Sequence, residues 1–443
     1  MYADVADPLL INYMSLSSIS YCGRNWFEQA FQRVRHLKIN DCLALLPRLE
    51  TSLLSNLSAL EIENCSLLTS FQLVMEYSEI LHQLKIESCP LLRFIVRGQL
   101  PSSLKRLEIS NCDRLQCLLK DRDQDASTSS SKKPENTNHI YANNHHLSIY
   151  GELPTSLERL FIEDCPITFL SSTDLLPTPL QHLKIEFCSK LEILSIGHLP
   201  AGLRRLEINS CLNLISIPNG LHNLNSLREI KICECPRLVS FPQGGLPITN
   251  LKALSINYCS TFQALPASMD SLNSLQELKI FECPSVAAFP QQGFPTNLTS
   301  LKIGGDLQIY APLVEWGLHR FTSLRKLEII ECPNESYFPR RGMILPTSLN
   351  HLTLANFPVL SNLSPKGFQN LASLEYFSIS DCPILTSLPE SLTSSLLSLQ
   401  IFRCPGLREC CLTIERERSK IANIPFVKID DQFIHELEEE EDL

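Results

Sequence analysis

Glycine is scarce in this 443-residue chain, at 15, and tryptophan scarcer, at two. So little glycine leaves few flexible linkers to hold separate domains apart. The glycine-rich loops that cradle phosphates are missing as well. Neither G-x-x-x-x-G-K-[ST] nor G-x-G-x-x-G occurs, nor H-E-x-x-H or G-x-S-x-G. Positive charge is short: 38 Lys and Arg stand against 48 Asp and Glu, a formal charge of −10. That balance argues against a general nucleic-acid binder, which needs a basic face to neutralise phosphates. No run of eighteen apolar residues is present, so no membrane span is expected. The opening MYADVADPLLINYMSL lacks a basic start and carries Asp4 and Asp7, a poor match to a secretory signal.

What is present is a repeat. The phrase L-x-x-L-x-I-x-x-C-x-x-L, as in LKRLEISNCDRL from Leu104, recurs along the chain. Its first apolar residues are Val34, Leu57, Leu81, Leu104, Leu157, Leu180, Leu203, Leu227, Leu251, Leu275, Leu298, Leu324, Leu349, Leu374 and Leu396. Of the fourteen steps between them, thirteen lie between 22 and 26 residues; the exception is 53. A period in the range of 20–29 residues, with this phrase, matches the leucine-rich repeat. In LKRLEIS, Leu107 and Ile109 alternate with Arg106 and Glu108, which predicts a short strand with one buried face. One such strand cannot bury its apolar face alone, so neighbouring repeats must stack. The expected fold is therefore an α/β leucine-rich-repeat solenoid. A curved parallel sheet should line its concave side, with irregular or 3₁₀ turns and a few short helices on the convex side. The 28 prolines disfavour long helices there. The organisation expected is a degenerate N-terminal cap over 1–30, about fifteen repeats over 31–410, and a C-terminal cap with an acidic tail over 411–443. The long step holds KDRDQDASTSSSKKPENTNHIYANN, from Lys120 to Asn144, which reads as a disordered insertion near 120–144.

Thirteen of the 18 cysteines fall at the ninth position of the phrase: Cys42, Cys65, Cys89, Cys112, Cys165, Cys188, Cys211, Cys235, Cys259, Cys283, Cys332, Cys382 and Cys404. Asp306 and Phe357 replace them in the other two copies. A small, weakly donating side chain suits the corner where the chain leaves the strand. Cys233–Cys235 and Cys410–Cys411 are the only close pairs, and neither has zinc-site spacing. No metal or other cofactor is expected. Neighbouring thiols on parallel vectors suit disulfides poorly, and an oxidising compartment would invite misbridging. The ladder thus points to a cytoplasmic protein, with the nucleus also open. Five N-x-Ser/Thr sequons, at Asn56, Asn64, Asn297, Asn334 and Asn362, read as by-products of an Asn- and Ser-rich chain.

No nucleophile, base and orienting group come together in the sequence, so an enzyme is not expected. What remains is the outward face of the strands. Between the strand Leu and Ile, the column begins Lys38, Glu61, Lys85, Glu108, an alternation expected to neutralise itself between neighbouring rungs. After the Ile, the column turns apolar in its second half. Phe281, Ile330 and Phe402 project there, and Tyr376 lies in the column on the other side of the strand. These four are the candidate partner-binding residues. The competing reading is that the C-terminal tail folds over them as a cap.

The phrases LEYFSISDCPILTSLPE and LREIKICECPRLVSFPQ, the LPxxLxxLxI linkers and the end CCLTIERERSKIANIPFVKIDD resemble the repeat region of plant intracellular nucleotide-binding leucine-rich-repeat disease-resistance proteins of the coiled-coil class. The resemblance spans about residues 31–431. It implies recognition of a protein partner: a pathogen effector, a host protein, or the nucleotide-binding domain of a related receptor. It does not carry over nucleotide binding, because the phosphate loop is missing. Two other readings compete with it. A substrate adaptor of a ubiquitin ligase would need an F-box that residues 1–30 are too short to hold. An extracellular receptor fragment would need a signal peptide, capping disulfides and a GxIP cadence.

Overall fold

A computed structural model describes residues 13–17, 34–41, 56–69, 80–97, 100–115, 119–120, 153–171, 176–195 and 198–434, the last stretch with short gaps at 243, 248, 267, 287–289, 291–292, 306–309, 333 and 393–394. Cys42, Asp306, residues 121–144 of the expected insertion and the acidic tail lie outside the described residues. The chain divides into two units, one of residues 1–227 with 242–244 and the other of 228–241 with 245–443.

In the first unit, five-residue strands at His36–Asn40, Ala59–Glu63, Gln83–Glu87, Arg106–Ser110, Arg159–Glu163, His182–Glu186 and Arg205–Asn209 pair side by side, all parallel and without offset. Leu37, Leu60, Leu84, Leu107, Leu160, Leu183 and Leu206 therefore stand in one row. The second and fourth residues of each strand are buried, as period two requires. Arg106–Ser110 pairs directly with Arg159–Glu163, so the two phrases on either side of the 53-residue step are neighbours in the sheet. A strand that the phrase count did not include, Tyr13–Ser17, adds to His36–Asn40 in the same register.

The second unit repeats the arrangement with strands Glu229–Cys233, Ala253–Asn257, Glu277–Phe281, Ser300–Gly304, Lys326–Ile330, His351–Ala355, Tyr376–Ser380 and Ser398–Phe402. Phe426–Ile429 then pairs parallel with Ser398–Phe402, and Gln432–Phe433 turns back antiparallel upon it. Between successive strands of either unit the chain makes single 3₁₀ turns, at Leu221–Asn223 in the first and Met269–Ser271, Leu318–Arg320 and Glu390–Leu392 in the second, and short helices at Tyr310–Trp316 and Pro365–Phe368. Two- and three-residue strands also pair there, such as Phe169–Ser171 with Ile193–Ser195 and Tyr337–Phe338 with Asn362–Leu363, a feature the sequence reading did not anticipate. The stacked parallel rungs, with few helices between them, are a leucine-rich-repeat solenoid.

Each rung ends on one residue with positive φ, directly before the ladder position. Asp41, Asn64, Ser88, Asn111, Asp164, Phe187, Ser210, Glu234, Tyr258, Glu282, Glu331, Asn356, Asp381 and Arg403 adopt φ between 44° and 64°, and Gly305 has 84°. The left-handed turn points the backbone N–H along the stack. Asn64 thus donates to the Glu87 carbonyl at 3.0 Å, Asp164 to Glu186 at 2.9 Å and Glu331 to Ala355 at 2.7 Å. The ladder side chain then fills the space beneath. The twelve described ladder cysteines are all buried. In ten of them the thiol donates to the carbonyl two residues earlier, at 3.2–3.4 Å. Several also reach the isoleucine carbonyl of the preceding rung, as Cys283 does to Ile256 at 3.6 Å and Cys404 to Ile379 at 3.8 Å. Phe357, which takes the same position, is fully buried and meets the Phe338 ring at 6.3 Å.

The C-terminal segment is fastened by a buried ion pair. Glu417, on the helix Glu415–Ile421, accepts from Lys420 Nζ at 2.6 Å and from the Leu388 amide at 3.2 Å, while Lys420 also donates to the Leu388 carbonyl at 2.7 Å. Each partner of the pair thus also bonds the backbone of Leu388, which offsets part of the cost of burying the charges.

Candidate interaction face

The outward positions of each strand are the first, third and fifth, and the left-handed residue extends the row beyond the fifth. In the first unit charges on this surface pair between neighbouring rungs, more closely on the diagonal than straight across. Lys38 lies 4.0 Å from Glu61 on the neighbouring strand but 2.7 Å from Glu63, and Lys85 reaches Glu63 at 3.3 Å and Glu87 at 2.6 Å. A lysine stem is long enough for the diagonal, and Glu63 sits where two lysines can share it. Lys38 and Lys85 hold the Glu63 carboxyl below its ordinary range, against the opposing effect of burial. One aromatic interrupts the column. Phe161 lies under the Arg106 guanidinium at 5.2 Å and against the His182 ring at 4.7 Å. His182 in turn bonds Glu207 at 2.8 Å, and burial still lowers its pKa.

The second unit's face is different. Phe281, Gly304 and Ile330 stand in register on three consecutive strands. A side chain at Gly304 would collide with the Ile330 carbonyl at 2.4 Å and with the Phe281 ring at 2.8 Å. The missing side chain is thus what lets Phe281 lean over the strand beside it. The Tyr258 ring meets Phe281 edge-on at 5.3 Å, and Lys302 Nζ sits 5.4 Å from the Phe281 centroid. Phe281 and Ile330 are half-buried, whereas Tyr258 is 49% exposed. The other two candidates lie farther along. Tyr376 stacks on His351 at 4.1 Å, and Phe402 carries the Arg403 guanidinium at 4.9 Å. They remain 41% and 40% exposed, with the Phe426–Ile429 strand added at the edge of the sheet. The structure sets Phe281 and Ile330 in one row on either side of Gly304, and places Tyr376 and Phe402 at opposite ends of neighbouring strands farther along, so those two do not form a group.

Sequence reasoning missed the row of left-handed residues, and with it Tyr258, Glu282 and Glu331. The signal was available. Most rungs place Asp, Asn, Ser or Gly directly before the ladder position, types that tolerate positive φ. A tyrosine or glutamate there departs from that pattern. Glu282 and Glu331 are two rungs apart with Gly305 between them, and a side chain at Gly305 would press on the Glu282 amide nitrogen at 2.7 Å. With no side chain intervening, the two carboxyls meet. Glu331 also accepts from Asn356 Nδ2 at 3.3 Å. The hydrogen bond with Glu331, burial and the nearby charge together raise the Glu282 carboxyl to about 7.

A cavity of about 550 Å³ beside the helix Pro405–Thr413 is lined by residues that include Arg403, Arg408, Glu409, Leu412 and Asp430. Its guanidiniums are already engaged, Arg403 with Asp381 at 2.7 Å and Arg408 with Asp430 at 3.1 Å. Among the described residues no group of three or more His, Cys, Asp or Glu could hold a metal ion, and no helix is long and apolar enough to cross a membrane.

No family model matches the chain, and no curated protein sequence matches it. Solved structures are similar to it in fold. A leucine-rich-repeat protein of Leptospira interrogans is 17% identical with a TM-score of 0.45, covering 93% of this chain and 99% of its own. The leucine-rich-repeat domain of the type III effector XopL is 16% identical with a TM-score of 0.37, covering 52% of this chain and 71% of its own. Likeness at this level adds nothing to the fold that the strands and their register already display.

Proposed function

We propose that the chain is a non-enzymatic protein-recognition module of the plant disease-resistance type, acting in the cytoplasm or nucleus. Its partner on this reading is a pathogen effector, a host protein or the nucleotide-binding domain of a related receptor. Phe281, Ile330, Tyr376 and Phe402 are the contact residues, with Tyr258 joined to them. The observation that supports this is the apolar and aromatic character of the second unit's outward face, on a sheet whose other outward positions are mostly charged or small. Aromatic anchors at such faces commonly contribute about 2 kcal/mol or more each to binding. The motifs of the C-P-x-L phrases and of the CCLTIERERSKIANIPFVKIDD end support the plant assignment. The ladder of buried thiols supports a reducing compartment.

The test is the double variant Phe281→Ser and Phe402→Ser, with melting temperature and partner retention measured on the same samples. Neither side chain belongs to the buried set, so the melting temperature should hold within a few degrees. Proteins retained from plant extract by the unmodified chain should be lost. A variant that unfolds, or that retains the same proteins, counts against the reading.

A further inference from the structure

We propose that the face around Phe281 docks a protein segment that presents a lysine or arginine beside an apolar side chain, the apolar group seated on Phe281, Ile330 and Tyr258 and the cation between Glu282 and Glu331. The inference rests on the recognition role above and narrows it to one chemistry of partner.

Three features of the second unit lead there. The apolar element is a step in the sheet: Gly304 leaves room beside Phe281, and Ile330 closes its far side. Directly adjacent, in the left-handed row, two carboxyls are held against each other across Gly305. The charges around this spot are mostly of one sign. Glu282 is faced by Glu331, and both act on Tyr258 together with Glu234 and the Cys233 thiol. Two lysines share this face and both are engaged elsewhere: Lys302 with Glu328 at 3.5 Å and the Phe281 ring, and Lys279 with Glu277 at 3.6 Å. Among the described residues no lysine or arginine forms an ion pair with Glu282 or Glu331. An apolar surface bordered by an unneutralised carboxyl pair is complementary to an apolar side chain bordered by a cation. The complement is specific in a second sense, since a purely apolar partner would leave the carboxyls without a counter-charge and gain nothing from them.

A proton balance follows. In the free face Glu331 and burial raise the Glu282 carboxyl to about 7, so Glu282 is largely protonated below neutrality. An arriving ammonium or guanidinium favours both carboxylates ionised, so that proton is released to solvent as the complex forms. Binding should strengthen with rising pH, and about tenfold between pH 6 and pH 8 for a single group titrating at about 7.

The experiment uses the full chain and a phage library of random dodecapeptides, panned in parallel at pH 8 against the unmodified protein, Phe281→Ser, and the double variant Glu282→Gln with Glu331→Gln. Melting curves are recorded for each. Binders lost on Phe281→Ser define the face. They are expected to carry Lys or Arg next to an aliphatic or aromatic residue, and to lose that preference when selected on the Gln variant. One synthetic peptide of the consensus should bind about tenfold more weakly at pH 6 than at pH 8, and its binding enthalpy should change with the ionisation enthalpy of the buffer. Phe281-dependent binders without a basic residue, or with pH-independent affinity, would leave the recognition face standing and overturn the cation inference. Finding no Phe281-dependent binder overturns both. Calcium chloride supplies a separate arm: if calcium alone shifts the Glu282 titration and raises the melting temperature, the pair is an ion site and the peptide proposal fails.

Discussion

At the scale of single residues, position nine of the repeat is decided by volume and by a weak donor. Cys211 is fully buried, burial pushes its thiol up to about 12, and its Sγ–H reaches the Asn209 carbonyl at 3.4 Å. Cys211→Ala removes one heavy atom and one weak bond, so it should cost on the order of 1 kcal/mol in urea unfolding. Cys211→Arg forces a charge into the corner and should unfold the neighbouring rungs; equal stability of the two variants would show that the corner is open. One position back, Glu282 makes a pH prediction. Its carboxyl is raised in the fold above the ordinary value, so the fold favours the protonated form. That contribution is complete below the ordinary carboxylate range and is lost as pH rises through about 7. Glu282→Gln should therefore flatten the stability profile between pH 5 and pH 8 and be the more stable protein at pH 8. The gain should be no more than about 1 kcal/mol, since the group is partly exposed and solvent screens it. A variant less stable than the parent at pH 8 would refute the pairing with Glu331.

At the scale of the strand, Leu-x-Ile alternation was enough to place every rung from Val34 to Leu396, because burying one face of a five-residue strand leaves one register and no other. The candidate site was only partly legible. Phe281 and Ile330 could be read as outward from the same alternation, but their convergence depends on what is missing at Gly304, and a gap has no sequence motif of its own. The Glu282–Glu331 contact was hidden for a related reason: the residues are 49 apart in sequence and meet only because Gly305 stands in the rung between. The short second strands behind the sheet were missed since two residues are too few to show a period. Gly304→Ala tests the step directly. Its added methyl meets backbone, the Ile330 carbonyl, and cannot be relieved by a rotamer change. It should cost about 1–3 kcal/mol and displace the Phe281 ring, seen as altered contacts to Tyr258 in NMR spectra. An unchanged melting temperature would mean the two strands are farther apart than described.

At the scale of the whole chain, the thiols make the compartment measurable. A denatured, non-reduced sample should titrate close to 18 free thiols, the full complement of the sequence; a sample largely in disulfides would remove the argument for a reducing compartment. The same scale gives the left-handed residue a further meaning. From rung to rung its N–H finds the carbonyl at the equivalent place one rung along, as Asp164 finds Glu186 and Phe187 finds Asn209, until Arg403 at the last full rung turns to the Asp430 carboxylate at 2.8 Å. The bond is therefore addressed to a position in the repeat, with no regard to which repeat supplies it. Removing one whole period, residues 180–202, would bring Asp164 opposite Asn209 and restore the same bond with a different partner. Loss or duplication of a period by recombination would then change the length of the recognition surface while leaving every remaining rung in step, whereas a shift by a single residue would expose the leucines. A chain built this way can acquire a new specificity by counting, without any residue having to mutate.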